Sequence, residues 1–354
     1  MSTLWTPFKL GRIELEHRLA MAPMTRSRAL PEGTPSPLAP EYYAQRASLG
    51  LLISEGTQPS EDGQGYLATP GIHTDAQMTG WRKVTDAVHD AGGHLFIQLM
   101  HTGRISHPDN TPHGRQAVAP SAIAPEAPMF TLSGMQDIPR PRALGIDEIA
   151  ATVDDFRTAA ARAIEAGADG VEIHGANGYL IQQFLAPNAN TRTDAYGGSV
   201  EGRIRFAVEV AQAVAEEIGP ERTGFRISPG STLNGIDEGP ERAATYHALI
   251  TELAKLDLVY LHVMQGTDEA LLHEIRALWP TALLVNRIDR RREELAGDLD
   301  AGIADIVPLG RWALANPDLV QRLQEGAPLN EADPATFYGG GNEGYTDYPV
   351  LIRR

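Results

Sequence analysis

A (β/α)8 TIM barrel, the α/β fold in which eight parallel strands close into a ring with helices outside, is what this sequence predicts. Three observations predict it. Eight short apolar runs recur along the 354 residues. Segments of helical period separate many of them. Hydrogen-bonding residues gather just past the carboxyl ends of the runs, where a closed parallel barrel has its one shared mouth. An open doubly wound sheet is the alternative, but it collects ligand at a single switch point.

In chain order, FKLGRIELEHR alternates apolar and polar residues around a glycine, which predicts a hairpin ahead of the first barrel strand. The eight runs are LAMAP (19–23), LLISEG (51–56), HLFIQL (94–99), GVEIHG (170–175), GFRISP (224–229), LVYLHV (258–263), ALLVNR (282–287) and ADIVPLG (304–310). The clearest helix begins near Asp147, where Ile149, Val153, Phe156, Ala160 and Ile164 share one face and Gly167 ends it. AQMTGWRKVTDAVHDAGGH and the stretch from Ser199 to Gly219 behave alike. Residues 103–146 are rich in Pro, Ser, Gly and Ala, with no long helical period. They read as a loop excursion after the third strand, covering the mouth. The tail after residue 325 is irregular. No linker interrupts the pattern, so residues 1–354 read as a single barrel domain.

Composition narrows the chemistry. Apolar content of 42% and charged content of 21% suit a globular chain with a proper core. The sequence has no cysteine, which removes disulfides, thiolate nucleophiles and cysteine-held iron–sulfur clusters. A net charge of −16 without any basic run argues against nucleic acid or an anionic membrane as partner. No run is long enough to span a bilayer. The start lacks a basic region followed by an apolar one, so the cytoplasm is the expected location. The sequence fits a monomer and a homo-oligomer equally.

The mouth set comprises Pro23, Met24 and Thr25; Gly56; Gln98 and His101; His174, Asn177 and Tyr179; Arg226; Met264 and Gln265; Asn286 and Arg287; Gly310 and Arg311. Carboxylates are nearly missing, which disfavours glycoside hydrolysis and hard-metal sites. Neutral amides, hydroxyls and imidazoles with fixed cations suit a flat polar heteroaromatic with an anionic tail. Thr25 and Gln98 would bond ring edges and Arg226 would face a developing anion. Arg311 opens a short helix after the last strand, the usual phosphate cradle of this fold.

Each residue also has a plainer reading. Thr25 alone would cap a turn, Gln98 would be an ordinary buried amide, and Arg226 could pair with Glu172. Glu172 shares the inward strand face with His174 and is expected inside the barrel and paired. His101, His107 and His113 read as a solvated cluster, with no metal site. The G-x-G-x-x-A match at Gly63–Ala68 is followed by Thr69-Pro70-Gly71, which cannot open a helix, so it reads as a loop. A Schiff-base lyase or aldolase is disfavoured because no lysine sits at a strand end.

LAMAPMTRSRA, FIQLMHTGRISHP, GVEIHGANGYLIQQFLAPNANTRTDAYGGS, LGRWALANPDL and ATFYGGGNEGYTDYP together resemble the Old Yellow Enzyme family of FMN-dependent ene-reductases. The similarity runs through essentially the whole chain and is greatest to the classical branch that includes N-ethylmaleimide, morphinone and pentaerythritol tetranitrate reductases. The resemblance implies non-covalently bound FMN held by Pro23, Met24, Thr25, Gly56, Gln98, Arg226, Asn286, Gly310 and Arg311. It implies an oxyanion clamp from His174 and Asn177, a proton donor in Tyr179, and substrate-pocket positions at Tyr66, Met100 and Tyr338. Two positions depart from the pattern. Met100 stands where the branch usually has tryptophan, which makes that wall more adaptable. Asn286-Arg287-Ile288 replaces a glycine-rich phosphate loop.

The expected activity is therefore NAD(P)H-dependent reduction of the C=C bond of α,β-unsaturated carbonyl or nitro compounds. NADPH or NADH reduces FMN, FMN N5 delivers hydride to the alkene, and Tyr179 protonates the other carbon. The alternative is a flavin-binding barrel that acts as a sensor or carrier.

Overall fold

Alternation of strand and helix drives the chain into a ring. The computed structural model describes residues 3–265 and 268–352, apart from the side chain of Gln265. Among these, eight parallel strands form one sheet: β1 (Leu19–Met21), β2 (Leu51–Ile53), β3 (His94–Leu99), β4 (Gly170–Gly175), β5 (Thr223–Ile227), β6 (Tyr260–Gln265), β7 (Ala282–Arg287) and β8 (Val307–Leu309). Each pairs with the next in sequence, and β8 pairs with β1. A parallel bridge between Leu284 and Ile306 completes the circuit from β7 to β8. The closed ring excludes the open doubly wound alternative.

Helices α1 (Ala39–Ala44), α2 (Asp75–Asp90), α3 (Ile146–Glu165), α4 (Val200–Ile218), α5 (Arg242–Ala254), α6 (Glu269–Leu278), α7 (Gly297–Asp300) and α8 (Leu319–Glu325) follow the strands of the same number. Local chemistry starts the long ones. Thr74 accepts the Gln77 N–H at 3.2 Å while the Gln77 side chain accepts the Thr74 N–H at 3.1 Å, a reciprocal cap on α2. Ser199 caps α4 through the Gly202 N–H. The inner stripe of α3 is Ile149, Thr152, Phe156, Ala159, Ala160 and Ala163, with Val153 and Ile164 at its margin.

Strand alternation sorts the side chains. Val171, Ile173, Phe225, Ile227, Leu261, Val263, Leu283 and Val285 face outward into the core shared with the helices. Inside, the lower half of the barrel is apolar: Ala20, Leu51, Ile53, Phe96, Tyr260, Leu284 and Ile306. The expected hairpin, Phe8–Leu10 paired with Ile13–Leu15, adds Leu10, Ile13 and Leu15 to this cluster. Gly170 and Gly224 leave room for the rings of Phe96 and Tyr260, since a Cβ at either would lie within 2.6 Å of ring carbons. The upper half is polar, and that layer forms the floor of the mouth.

Two further segments wall the mouth. The 103–146 excursion is ordered around an antiparallel hairpin, Pro128–Thr131 with Gly134–Asp137. The carboxyl-terminal segment folds back over the loop after β1. Arg26 donates to the carbonyls of Phe337 (3.0 Å) and Gly344 (2.7 Å), and Arg28 to those of Thr336 and Glu343, both at 3.0 Å. Tyr42 and Tyr345 stack at 4.1 Å beneath Arg26. No helix among the described residues is long and apolar enough to cross a membrane.

Candidate active site

The chain leaves β4 at Gly175 and turns sharply, so that Ala176–Tyr179 lies across the mouth. Asn177 and Gly178 both have positive φ, 57° and 78°. Glycine is required at 178, because a Cβ there would lie 2.5 Å from the Leu233 carbonyl and 2.8 Å from Asn234 Cβ. Ser228, just past β5, accepts the Asn177 N–H at 2.9 Å, and Asn234 donates to the Asn177 carbonyl at 2.8 Å. The strained turn is thus held from both sides.

His174 is buried, and its Nδ1 accepts the Ala176 N–H at 3.2 Å. Burial, with the Arg226 charge beside it, holds its pKa well below the usual imidazole range. The ring is therefore neutral with its proton on Nε2, a fixed donor. Tyr179 packs edge-on against it at 5.1 Å. The Tyr179 hydroxyl lies 3.1 Å from that of Tyr66. Burial raises the pKa of both phenols against the opposing influence of the nearby Asn234 side chain. Both carry their protons at neutral pH.

Below this turn runs the polar layer. Register pairs Gln98 with Glu172, and His174 with Arg226 and then His262. Glu172 is fully buried and accepts from Gln98 Nε2 (2.7 Å), Tyr260 Oη (3.1 Å) and His262 Nδ1 (2.8 Å). Burial works to raise its pKa. The His262 and Gln98 hydrogen bonds and the Arg226 charge outweigh that and keep it ionised. Glu172 is thus inward and paired, as its strand face predicts. Arg226, in contrast, makes no ion pair with it among the described contacts; its Nε is buried with no hydrogen-bond partner. His262 Nε2 and Asn177 Oδ1 are likewise buried and unpartnered. A buried guanidinium, imidazole and amide left unmatched beside the mouth fit the polar edge of a bound heteroaromatic group such as FMN.

Pro23, Met24 and Thr25 lie half-buried past β1. Gly56 lies under Met100, whose thioether would come within 2.5 Å of any Cβ there. Met100 itself is buried. At the far end, Asn286 donates to the Pro308 carbonyl at 2.9 Å, linking β7 to β8. Arg287 does not add charge to a phosphate loop: it is committed to Glu269 and Asp298. Arg311 opens the short helix Arg311–Ala315 after Gly310 and is exposed, 3.9 Å from an equally exposed Asp289. Its one ion pair there among the described residues, with Asp289, is long and solvent-exposed.

A cavity of about 680 Å³ opens above the layer, lined by Thr25, Tyr66, Tyr179, Asn234 and Tyr338 and by apolar residues of the excursion. The histidine expectation needs correction. His101 is buried, and burial brings its pKa down to about 4. It does not cluster in solvent with His107 and His113; each of the three instead accepts an N–H two residues onward, closing its own turn. Met264 is half-buried at the end of β6.

Four participants escaped the sequence reading: Ser228, Asn234, His262 and Glu55. Asn234 sits in a Leu-Asn-Gly turn after β5, a dipeptide signal that marks the turn but not its target. His262 lies within a run counted only as apolar. Glu55 is buried behind the loop after β1, accepting the Arg26 N–H at 2.9 Å.

Comparison with known proteins agrees with this geometry. Residues 3–330 match the NADH:flavin oxidoreductase / NADH oxidase family. The chain is 42% identical to 12-oxophytodienoate reductase 2 of Arabidopsis thaliana, over 98% of this chain and 96% of that protein. Its fold superposes on morphinone reductase in complex with tetrahydroNAD with a TM-score of 0.94 at 45% identity, covering 99% and 98% of the two chains. The old yellow enzyme homologue from Zymomonas mobilis gives 0.95 at 40% identity, over 99% and 100%. The match over residues 3–330 and these whole-chain likenesses place the chain in the NADH:flavin oxidoreductase / NADH oxidase family.

Proposed function

We propose that the protein is an FMN-dependent NAD(P)H:alkene oxidoreductase acting on α,β-unsaturated carbonyl or nitro compounds. The observation that carries this reading is a neutral, Nε2-protonated His174 packed edge-on against a protonated, half-buried Tyr179 that lines the cavity. Arg226, Gln98, Thr25, Gly56, Pro23 and Met24 would hold the ring of FMN, and Asn286, Gly310 and Arg311 its phosphate end. When bound, FMN supplies the hydride and is replenished by NADPH or NADH.

The chain's own residues do the rest. His174 Nε2–H and the Asn177 side chain hold the carbonyl or nitro oxygen of the alkene. Charge grows on that oxygen as hydride arrives at the β carbon, and donors already in place lower the barrier by roughly 3 kcal/mol each. Because His174 donates without being charged, it loses no proton to the developing enolate. Tyr179 then gives its proton to the α carbon, and Tyr66 and Asn234 orient that phenol. Tyr338 shapes the cavity wall, while Met100 is buried against Gly56. Consumption of NAD(P)H favours the cytoplasm as the place of action.

The test is direct. The purified protein should be yellow and release FMN on denaturation. Anaerobically, it should consume one equivalent of NADPH or NADH to bleach its flavin and turn over more only when an activated alkene such as cyclohexenone is present. A colourless protein that takes up no flavin, or a yellow one inert towards every such alkene, would refute the reading.

A further inference from the structure

Phe130 and Met135 face each other across the excursion hairpin and are 65% and 61% exposed, yet both line the cavity. A contiguous exposed apolar patch, unlike a lone exposed side chain, marks a surface that binds something. Behind them Met129, Ile138 and Ile105 form a small buried cluster packed on Tyr66 and Tyr179. The apolar surface therefore runs without a break from the tyrosine pair out to solvent. Along that path, Leu67 and Ala68 supply the facing wall. Among the described residues that line the cavity, none is charged; the polar groups are confined to hydroxyls and the Asn234 amide.

Resting on the function proposed above, we infer that the hairpin is a second subsite that takes an extended, uncharged apolar substituent of the alkene. The reacting end lies at Tyr179, and the tail leaves between Phe130 and Met135. A carboxylate tail has no cation to meet it there and would be desolvated against methionine and phenylalanine. For a given alkene, the subsite thus favours a neutral, lipophilic tail over one that carries a charge.

A tail series at constant chemistry tests this. N-ethyl-, N-hexyl- and N-(carboxypentyl)maleimide present the same alkene, and a chain without cysteine is not alkylated by them at a thiol. The matching succinimides cannot be reduced, so calorimetry on the FMN-loaded protein reads tail binding without turnover. N-hexylsuccinimide should bind at least about tenfold tighter than N-ethylsuccinimide, and the carboxypentyl compound should lose most of that gain. Phe130→Ser with Met135→Ser should bring the hexyl-to-ethyl ratio to within about threefold of unity. Leu132→Ser, at an exposed hairpin position outside the cavity lining, should keep the full ratio. Equal affinities across the wild-type series would overturn the subsite and leave the hairpin's apolar face to another use, such as contact with a second copy. So would a ratio that survives in the double variant. The two readings fail separately: a succinimide gradient without maleimide reduction sinks the reductase, while maleimide reduction without a gradient sinks the subsite.

Discussion

The hydroxyls of Tyr66 and Tyr179 lie 3.1 Å apart, sharing one hydrogen bond between residues 113 positions apart in sequence. One phenol comes from the loop after β2 and the other from the turn after β4. Their rings meet edge to face at 6.2 Å. Because both pKa values are raised by burial, this is a pair of neutral phenols, one donating to the other. The arrangement makes a proton available at Tyr179 and fixes its direction.

Replacing Tyr179 by Phe removes that proton and little else. Flavin reduction by nicotinamide should continue at its normal rate. Turnover of enones whose protonation is slow should fall by about 10²-fold or more. Wild-type turnover should show no loss from Tyr179 ionisation between about pH 6 and pH 9, since a raised phenol pKa keeps the proton on as pH climbs. Stopped-flow measurement of the two half-reactions checks both; a collapse confined to flavin reduction contradicts the role.

His174→Ala should weaken binding of phenolic ligands and slow alkene reduction by about 10²- to 10³-fold, the usual effect of losing one oxyanion donor. Its depressed pKa also means that phenol affinity should not change with His174 titration between about pH 6 and pH 8. Unchanged enone affinity and rate in the variant would remove His174 from the clamp.

Glu55 gives a stability prediction. Burial is the main cause that brings its pKa up to about 7, against the N–H bonds and charges of Arg26, Ser27 and Arg28. The folded pKa thus lies above the unfolded one, near 4.5. The folded state holds the extra proton between these values, so stability from this group falls as pH rises through that window and levels off above it. Glu55→Gln should therefore gain stability relative to wild type by up to about 3 kcal/mol between pH 5 and pH 8. Denaturant titrations at the two pH values read this; a difference that does not grow with pH would contradict it.

Gly178→Ala should lower stability by at least about 2 kcal/mol, combining a left-handed backbone with a Cβ driven into the Leu233 carbonyl. Alkene reduction should fall further than flavin reduction, because the turn that carries Asn177 and Tyr179 must move. A variant with wild-type melting temperature would show that the 233–236 turn yields freely.

The fold was legible because its signals are local. Runs such as GVEIHG and ALLVNR mark buried parallel strands, and the capped stripe of α3 marks a helix. Strand-end position alone brought Thr25, Tyr179 and Arg226 to one mouth. What sequence did not disclose depends on contacts made across the ring. Arg287 reads as a free cation until Glu269 and Asp298 are seen beside it. His101 reads as a surface histidine until the fold shows it buried beside Gly63 of the loop after β2. Asn234 shows a turn, but only the fold shows that the turn grips Asn177. The excursion's hairpin lay hidden because Met129, Phe130 and Met135 are too few to set a period.

The carbonyl clamp made by Arg26 and Arg28 has a bearing on biosynthesis. A chain emerging amino end first exposes both guanidiniums, and the face of Tyr42 that stacks on Tyr345, more than 300 residues before their partners exist. The ring of strands can assemble in that interval, but the wall bearing Tyr338 cannot. A chain released without this last segment should therefore close its barrel, yet capture ligand poorly because the wall bearing Tyr338 is missing.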